Sequence, residues 1–255
     1  MIRILILILS FAMPILGCKA QSIEKPELLD IYLLIGQSNM AGRAEIEPQD
    51  KDSLTNVFLF TGIEGCEWEK AANPLNKYST VRKDLSMQKL GPGYTFAKKM
   101  AEAFPDRQLG LVVNAKGGTS IVEWMPGTIL YTEAVKRIKM AMKYGTLKGI
   151  VWHQGEQDVS KSETYMESIA TLIQSLRNDL NIPRLPFVAG QISEDKPEKI
   201  AFNQIIIHLS EKVSDTGIAT SGGTSTIDGA HFNSASQRLM GERYASEMIR
   251  LVKKK

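Results

Sequence analysis

Short apolar runs alternate with longer stretches in which apolar residues recur every three to four positions through most of the 255-residue chain. The runs Ile31–Ile35, Val57–Phe60, Leu109–Asn114, Gly149–His153, Phe187–Gly190 and a weaker Gly217–Thr220 are rich in branched residues, as strands covered on both faces are. The intervening stretches Tyr94–Phe104, Leu130–Tyr144, Glu163–Leu180, Glu198–Val213 and Ser234–Val252 read as helices. In Glu163–Leu180, Tyr165, Ile169, Leu172, Ile173 and Leu176 form one apolar stripe, and Pro183 and Pro186 break the chain before the next strand. Strand–helix alternation predicts an α/β fold, a three-layer αβα sandwich with a mainly parallel sheet joined by right-handed crossovers. Residues Gln37 to Leu90 are the least regular and read as long loops with a single strand.

The first residues break this pattern. Arg3 precedes an almost wholly apolar run from Ile4 to Leu16, shorter than the roughly 20 residues that cross a bilayer but suited to a signal-peptide core over residues 1–17. It ends in Ile15-Leu16-Gly17-Cys18, which resembles the lipobox of bacterial lipoproteins. The expectation is cleavage after Gly17, lipid attachment at Cys18, a polar tether over 18–28, and one domain over 29–255 exported to the bacterial envelope and held at its membrane. Ordinary secretion is the alternative. With Cys18 acylated, the two cysteines leave no disulfide scaffold, so the core must hold the fold.

Charge narrows the partners. The formal net charge is +3 and the basic residues are scattered, which gives nucleic-acid binding little support. The chain contains no HExxH, no paired CxxC, no close His cluster and no P-loop, so neither a metal nor another cofactor is expected.

Candidate chemistry gathers at the predicted strand ends, where open α/β sheets carry their sites. Ser38 follows the first strand in Gly36-Gln37-Ser38-Asn39-Met40. Serine after a strand is commonly a helix cap, but here other segments supply what a nucleophile needs. Of the three histidines, His208 falls within a predicted helix as a partly buried structural residue, and His153 ends a strand. His231 lies in a loop, three residues after Asp228. His231 is therefore the expected base and Asp228 the carboxylate that orients it. Glu156, at another strand end, has three open roles: orienting His231, binding a sugar hydroxyl, or anchoring its loop. The backbone amides of Ser38 and Gly118 and the side-chain amide of Gln154 are the candidate oxyanion donors. Asn39 is left as a cap or a substrate contact. Trp124, and equally Trp68, is either a wall for a sugar ring or core packing.

These residues carry a family resemblance. Gly36-Gln37-Ser38-Asn39-Met40, Gly117-Gly118-Thr119-Ser120-Ile121, His153-Gln154-Gly155-Glu156-Gln157-Asp158 and Asp228-Gly229-Ala230-His231-Phe232 resemble the four sequence blocks of the SGNH hydrolase superfamily. More narrowly they resemble its sialate O-acetylesterase and acetylxylan-esterase branch, carbohydrate esterase family 6, with Gln154 where the wider superfamily has an asparagine. The resemblance implies a flavodoxin-like sheet and a cofactor-free Ser-His-Asp esterase acting on an acetylated carbohydrate. Xylan or its oligosaccharides are favoured over 9-O-acetylated sialic acid, because the chain lacks the added domains associated with the sialate enzymes. A non-catalytic glycan-binding lipoprotein on the same fold is the competing class, and oligomeric state is left open.

Overall fold

The computed structural model describes residues 28–254. The expected signal peptide over 1–17, Cys18 and all but the last residue of the expected tether over 18–28 lie outside the described residues. One sheet contains seven strands: β1 (Leu29–Gly36), β2 (Val57–Ile63), β3 (Cys66–Lys70), β4 (Leu109–Val113), β5 (Gly145–His153), β6 (Phe187–Gly190) and β7 (Thr216–Ala219). Their order is β3-β2-β4-β1-β5-β6-β7, parallel throughout except for the antiparallel β2–β3 pair. Without that hairpin, the order β4-β1-β5-β6-β7 is the flavodoxin-like 2-1-3-4-5 arrangement.

The helices are α1 (Ser38–Ala41), α2 (Gly93–Ala103), α3 (Ile129–Ala141), α4 (Ser162–Asp179), α5 (Pro197–Ile206), α6 (Leu209–Lys212) and α7 (Ser234–Lys253). Alternation along β1 separates two cores. Leu29, Ile31, Leu33 and Ile35 face α3, α4 and α5, while Tyr32 and Leu34 face α2 and α7. The α4 stripe Tyr165, Ile169, Leu172, Ile173 and Leu176 is wholly buried in the first core. Burial of each such aliphatic side chain contributes about 1.5–3 kcal/mol. The result is the expected three-layer sandwich, with both sheet faces dry.

The sheet fixes where chemistry can occur. After β1 the chain leaves toward β2 and β4, whereas after β4 it crosses β1 to reach β5. The loops therefore part over the carboxyl end of β1, a topological switch point. Gly36 pairs in register with His153, so the first and third motifs leave the sheet at one level. Gly36 has φ +135°, and a Cβ there would lie 2.1 Å from the His153 carbonyl oxygen. Only glycine lets the strand end this close to its neighbour before turning into Ser38.

Three elements differ from the sequence expectation. The stretch between Gln37 and Leu90 contains a second strand, β3, which buries only Trp68 among exposed or half-buried neighbours and so carries no apolar run. The helix expected over Glu198–Val213 is broken between α5 and α6. Ile206 and Leu209 are buried on either side of the break, and Ile207 is exposed at it. β5 begins at Gly145, four residues before the expected start at Gly149, and shifts register against β1 at Ile31/Tyr32.

Candidate active site

Four strand ends and the loop before α7 enclose a cleft of about 580 Å³ whose wall includes Ser38, Gly118, Glu156, Asp228 and His231. Ser38 is the first residue of α1 and is buried except toward the cleft. His231 Nε2 lies 3.0 Å from Ser38 Oγ, and His231 Nδ1 lies 2.6 Å from Asp228 Oδ2. Asp228 Oδ1 accepts the backbone N–H groups of Ala230 and His231 at 3.0 and 2.8 Å. A carboxylate in this setting only accepts, so Nδ1 carries the imidazole proton and Nε2 presents its lone pair to the serine hydroxyl.

The loop bearing this base has no helix or strand of its own. Asn39 holds it from beneath: Nδ2 donates to Ala230 O at 3.0 Å, and Oδ1 accepts from Phe232 N at 3.0 Å and from Gln237 Nε2 at 3.1 Å. Lys199 of α5, itself paired with Asp195 at 2.7 Å, donates to Gly229 O from the side. Consecutive carbonyls just before His231 are thus clamped by two side chains that sequence reasoning did not assign to this task. Asn39 is fully buried, with both amide groups used inside the protein. It is not a substrate contact.

Glu156 faces a different histidine. Its Oε1 accepts from Asn39 Nδ2 at 2.5 Å and lies 3.3 Å from His153 Nε2. His153 is buried, and its Nδ1 lies 2.7 Å from the Tyr244 hydroxyl. Glu156 therefore anchors the Asn39 clamp and makes no hydrogen bond to His231.

Gln154 requires a correction. Its side chain is fully buried, and Nε2 is directed at Asp158 Oδ2 (2.6 Å), Thr119 O (3.0 Å) and Gln37 Oε1 (3.2 Å). Exchanging its oxygen and nitrogen would set an oxygen against three acceptors, so the orientation is fixed. The expected oxyanion donor has no hydrogen left for a ligand. It holds Gln37 by the amide oxygen, leaving Gln37 Nε2 on the cleft wall without a protein partner among the described residues. The backbone N–H groups of Ser38 and Gly118 likewise donate to no protein acceptor there. Gly118 has φ +70°, a left-handed conformation that turns its peptide toward the cleft at little cost only because the residue is glycine. Asp158 fixes this loop by accepting Ile121 N at 2.7 Å. Sequence reasoning does not single out Gln37; its adjacency to Ser38 at a strand end is the signal that could have found it.

The aromatic candidates fall away. Trp124 is fully buried, donates from Nε1 to Thr119 Oγ1 at 3.0 Å, and meets the Trp152 ring edge-on at 5.5 Å. Trp68 packs beneath the hairpin, 5.1 Å from the Phe60 ring. Neither is on the cleft wall. His208, expected to be partly buried within a helix, is exposed at the α5–α6 turn and pairs with Glu211. Among the described residues, no group of three or more His, Cys, Asp or Glu side chains is placed to hold a metal ion, and no helix is long and apolar enough to cross a membrane.

The family model described as carbohydrate esterase, sialic acid-specific acetylesterase, matches residues 28–250. The chain belongs to this family. It is 33% identical to the probable carbohydrate esterase At4g34215 of Arabidopsis thaliana, over 74% of this chain and 82% of that protein. The X-ray structure of that Arabidopsis protein superposes with a TM-score of 0.78 at 28% identity, covering 88% of this chain and 99% of its own. The crystal structure of XAC1771, a carbohydrate acetylesterase from Xanthomonas citri, shares the fold with a TM-score of 0.64 at 20% identity, covering 89% of this chain and 57% of that one. The protein is therefore an esterase on an SGNH-type fold, and the non-catalytic class is set aside.

Electrostatics of the esterase cleft keep both carboxylates ionised. Desolvation opposes the charge on Asp228, but the His231 ring and two backbone N–H groups outweigh it and bring the pKa down to about 2. Burial likewise opposes ionisation of Glu156, yet His153 and the Asn39 amide hold its carboxyl below the usual range. A lowered folded-state pKa makes the Asp228 contribution to stability complete above the unfolded value, about 3.9, and lost as pH falls toward 2. Asp228 does not titrate where a histidine base does. The acid limb of a kcat/KM profile on an acetyl ester is thus expected to persist, at reduced rate, in Asp228→Asn. Disappearance of that limb in the folded variant would show that the aspartate itself titrates there.

Proposed function

We propose that this esterase removes acetyl groups from saccharides by a serine mechanism. As Ser38 Oγ attacks the acetyl carbonyl, its proton passes to His231 Nε2, and Asp228 steadies the imidazolium that forms. The tetrahedral oxyanion accepts from the Ser38 and Gly118 backbone N–H groups and from Gln37 Nε2, in place of the Gln154 amide expected from sequence. His231 then gives the proton to the departing sugar oxygen, which leaves the acetyl group esterified to Ser38. A water molecule attacks that ester as His231 takes a proton from it, and acetate and free Ser38 are regenerated.

The observation that carries this reading is the unbroken hydrogen-bond chain from Ser38 Oγ through both ring nitrogens of His231 to Asp228, at 3.0 and 2.6 Å. Family membership supports an acetylated carbohydrate as substrate. Xylan or its oligosaccharides and 9-O-acetylated sialic acid are the two sugars proposed from sequence. One of the differences between them is charge: the sialic acid bears a carboxylate on the sugar itself.

One kinetic comparison on 4-nitrophenyl acetate, with folding checked by circular dichroism, tests the assignments. Ser38→Ala is expected to fall to background. Asp228→Asn should lose up to roughly 10⁴-fold in turnover through the wrong imidazole tautomer. Gln37→Ala should lose roughly 10²–10³-fold in kcat with little change in KM, as removal of one oxyanion donor does. Glu156→Gln should lose less turnover than Asp228→Asn, because its bonds serve the clamp rather than the base. A larger turnover loss in folded Glu156→Gln would reverse the acid assignment, and wild-type kcat in Gln37→Ala would return the oxyanion role elsewhere.

Export and lipid attachment at Cys18 belong to the same proposal, supported by the apolar run and the Gly17-Cys18 junction. Expressed in a bacterial envelope, the chain should incorporate labelled lipid, and Cys18→Ser should not. A wild-type mature N-terminus downstream of Cys18 would contradict this.

A further inference from the structure

The cleft wall carries three cations without an ion-pair partner among the described residues. Arg43, Lys83 and Lys196 line it, and no carboxylate of the described residues lies within ion-pair distance of any of them. The acids that face the same space, Asp228 and Glu156, are already engaged with His231 and His153. Lys83 and Lys196 are exposed and water can screen them, but Arg43 is half-buried. Burial lowers its pKa, with no counter-charge to offset that cost.

Only part of the Arg43 guanidinium is used by the protein. Nη1 donates to Gly42 O at 2.7 Å and to Met87 O at 3.0 Å, which fixes the plane of the group. The edge formed by Nε and Nη2 has no protein acceptor among the described residues. That edge is close to the chemistry: a Cβ on Gly117 would lie 2.7 Å from Arg43 Nη2 and 3.3 Å from Ser38 Cβ. Guanidinium and Ser38 thus both border the space that a side chain at Gly117 would fill. Lys83 Nζ is on the same wall, 3.3 Å from where a Cβ on Gly118 would be.

The Nε/Nη2 edge matches a planar carboxylate with two parallel hydrogen bonds. Elsewhere this chain uses it that way. Arg107 binds Asp30 through Nε and Nη2 at 3.0 and 2.8 Å, and Arg184 binds Asp215 through the same pair at 3.0 and 3.0 Å. We propose that Arg43 is a specificity-determining residue whose free edge receives a carboxylate on the sugar being deacetylated, with Lys83 adding charge beside it. The preferred substrate is then an O-acetylated acidic saccharide, in which the carboxylate and the acetyl ester lie within one or two sugar units. This rests on the esterase reading above and favours an acidic sugar over unsubstituted, neutral xylan.

The test compares kcat/KM on matched pairs: 9-O-acetylated sialic acid against its methyl ester, and a mono-O-acetylated methyl glucuronoside against the corresponding glucoside. The first pair tests a carboxylate on a nine-carbon acid, the second one on a uronate. In the wild type at least one pair should favour the acid by about tenfold or more, the range of a charge-assisted bidentate contact. The difference should reside in KM and shrink with added salt. Arg43→Gln should bring the ratio close to one, and Arg43→Lys should retain part of it.

A wild-type ratio near one for both pairs would overturn the proposal, as would an unchanged ratio in folded Arg43→Gln. An equal fall in kcat on acid and neutral partners would also overturn it, since Arg43 would then serve the oxyanion. If Arg43→Gln fails to fold, the wild-type ratio and competition by the unacetylated acid against its methyl ester decide the matter. Turnover of 4-nitrophenyl acetate in the wild type separates the two claims. Without it the esterase reading itself falls, and with it only the choice of sugar is at stake.

Discussion

The proposed chemistry depends on one constraint: His231, carried by an irregular loop, is held against Ser38, which sits at a strand end 193 positions earlier in the chain. One buried amide makes that junction. Asn39 follows Ser38 directly, so its backbone moves with the nucleophile, while its side chain grips the peptides on both sides of His231. Two neutral hydrogen bonds of this kind contribute about 1 kcal/mol each to net stability. Their larger effect is geometric, because a displacement of about 1 Å between base and nucleophile can cost roughly 10²-fold in rate.

The same economy extends outward from Asn39. Its second amide hydrogen goes to Glu156, whose carboxylate is set beside His153, and His153 meets Tyr244 on α7. The strand end of β5, the start of α1 and the last helix are thus tied into one buried polar cluster. A parallel arrangement serves the oxyanion side. Asp158 holds both the Gly118 loop and Gln154, and Gln154 in turn turns the Gln37 amide outward. Each group that faces substrate is positioned by one that does not.

The sheet, its helices and the Ser38–His231–Asp228 constellation were legible in the sequence because they obey strong local rules. Buried parallel strands need branched runs, amphipathic helices need a stripe, and a triad in separate loops needs the few residue types able to perform it. Where reading failed, the deciding physics was non-local. The edge strand β3 buries a single side chain, Trp68, and so leaves no periodic trace. Gln37 and Gln154 are chemically identical, and which of them faces the cleft depends on Asp158 and Thr119 O, contacts made only after the chain has folded. Trp124 lies beside a functional block in sequence but points away from the cleft into the core, where its N–H is satisfied by Thr119. Arg43 is not singled out among the scattered basic residues of the sequence; only the fold shows that it has no carboxylate partner among the described residues.

Ser38 as the covalent nucleophile is the claim on which all of this converges, and a competing hydroxyl lies near the same cleft. Ser193 is buried, accepts from Lys199 Nζ at 3.1 Å and donates to Asp195 Oδ1 at 2.8 Å, so it is a second serine with charged neighbours but without a neutral base. The direct measurement is peptide mapping by mass spectrometry after treating the folded protein with a serine-directed phosphonate. A single adduct per chain, on the peptide containing Ser38, is the predicted result. An adduct on Ser193, or full inactivation with Ser38 unmodified, would contradict it.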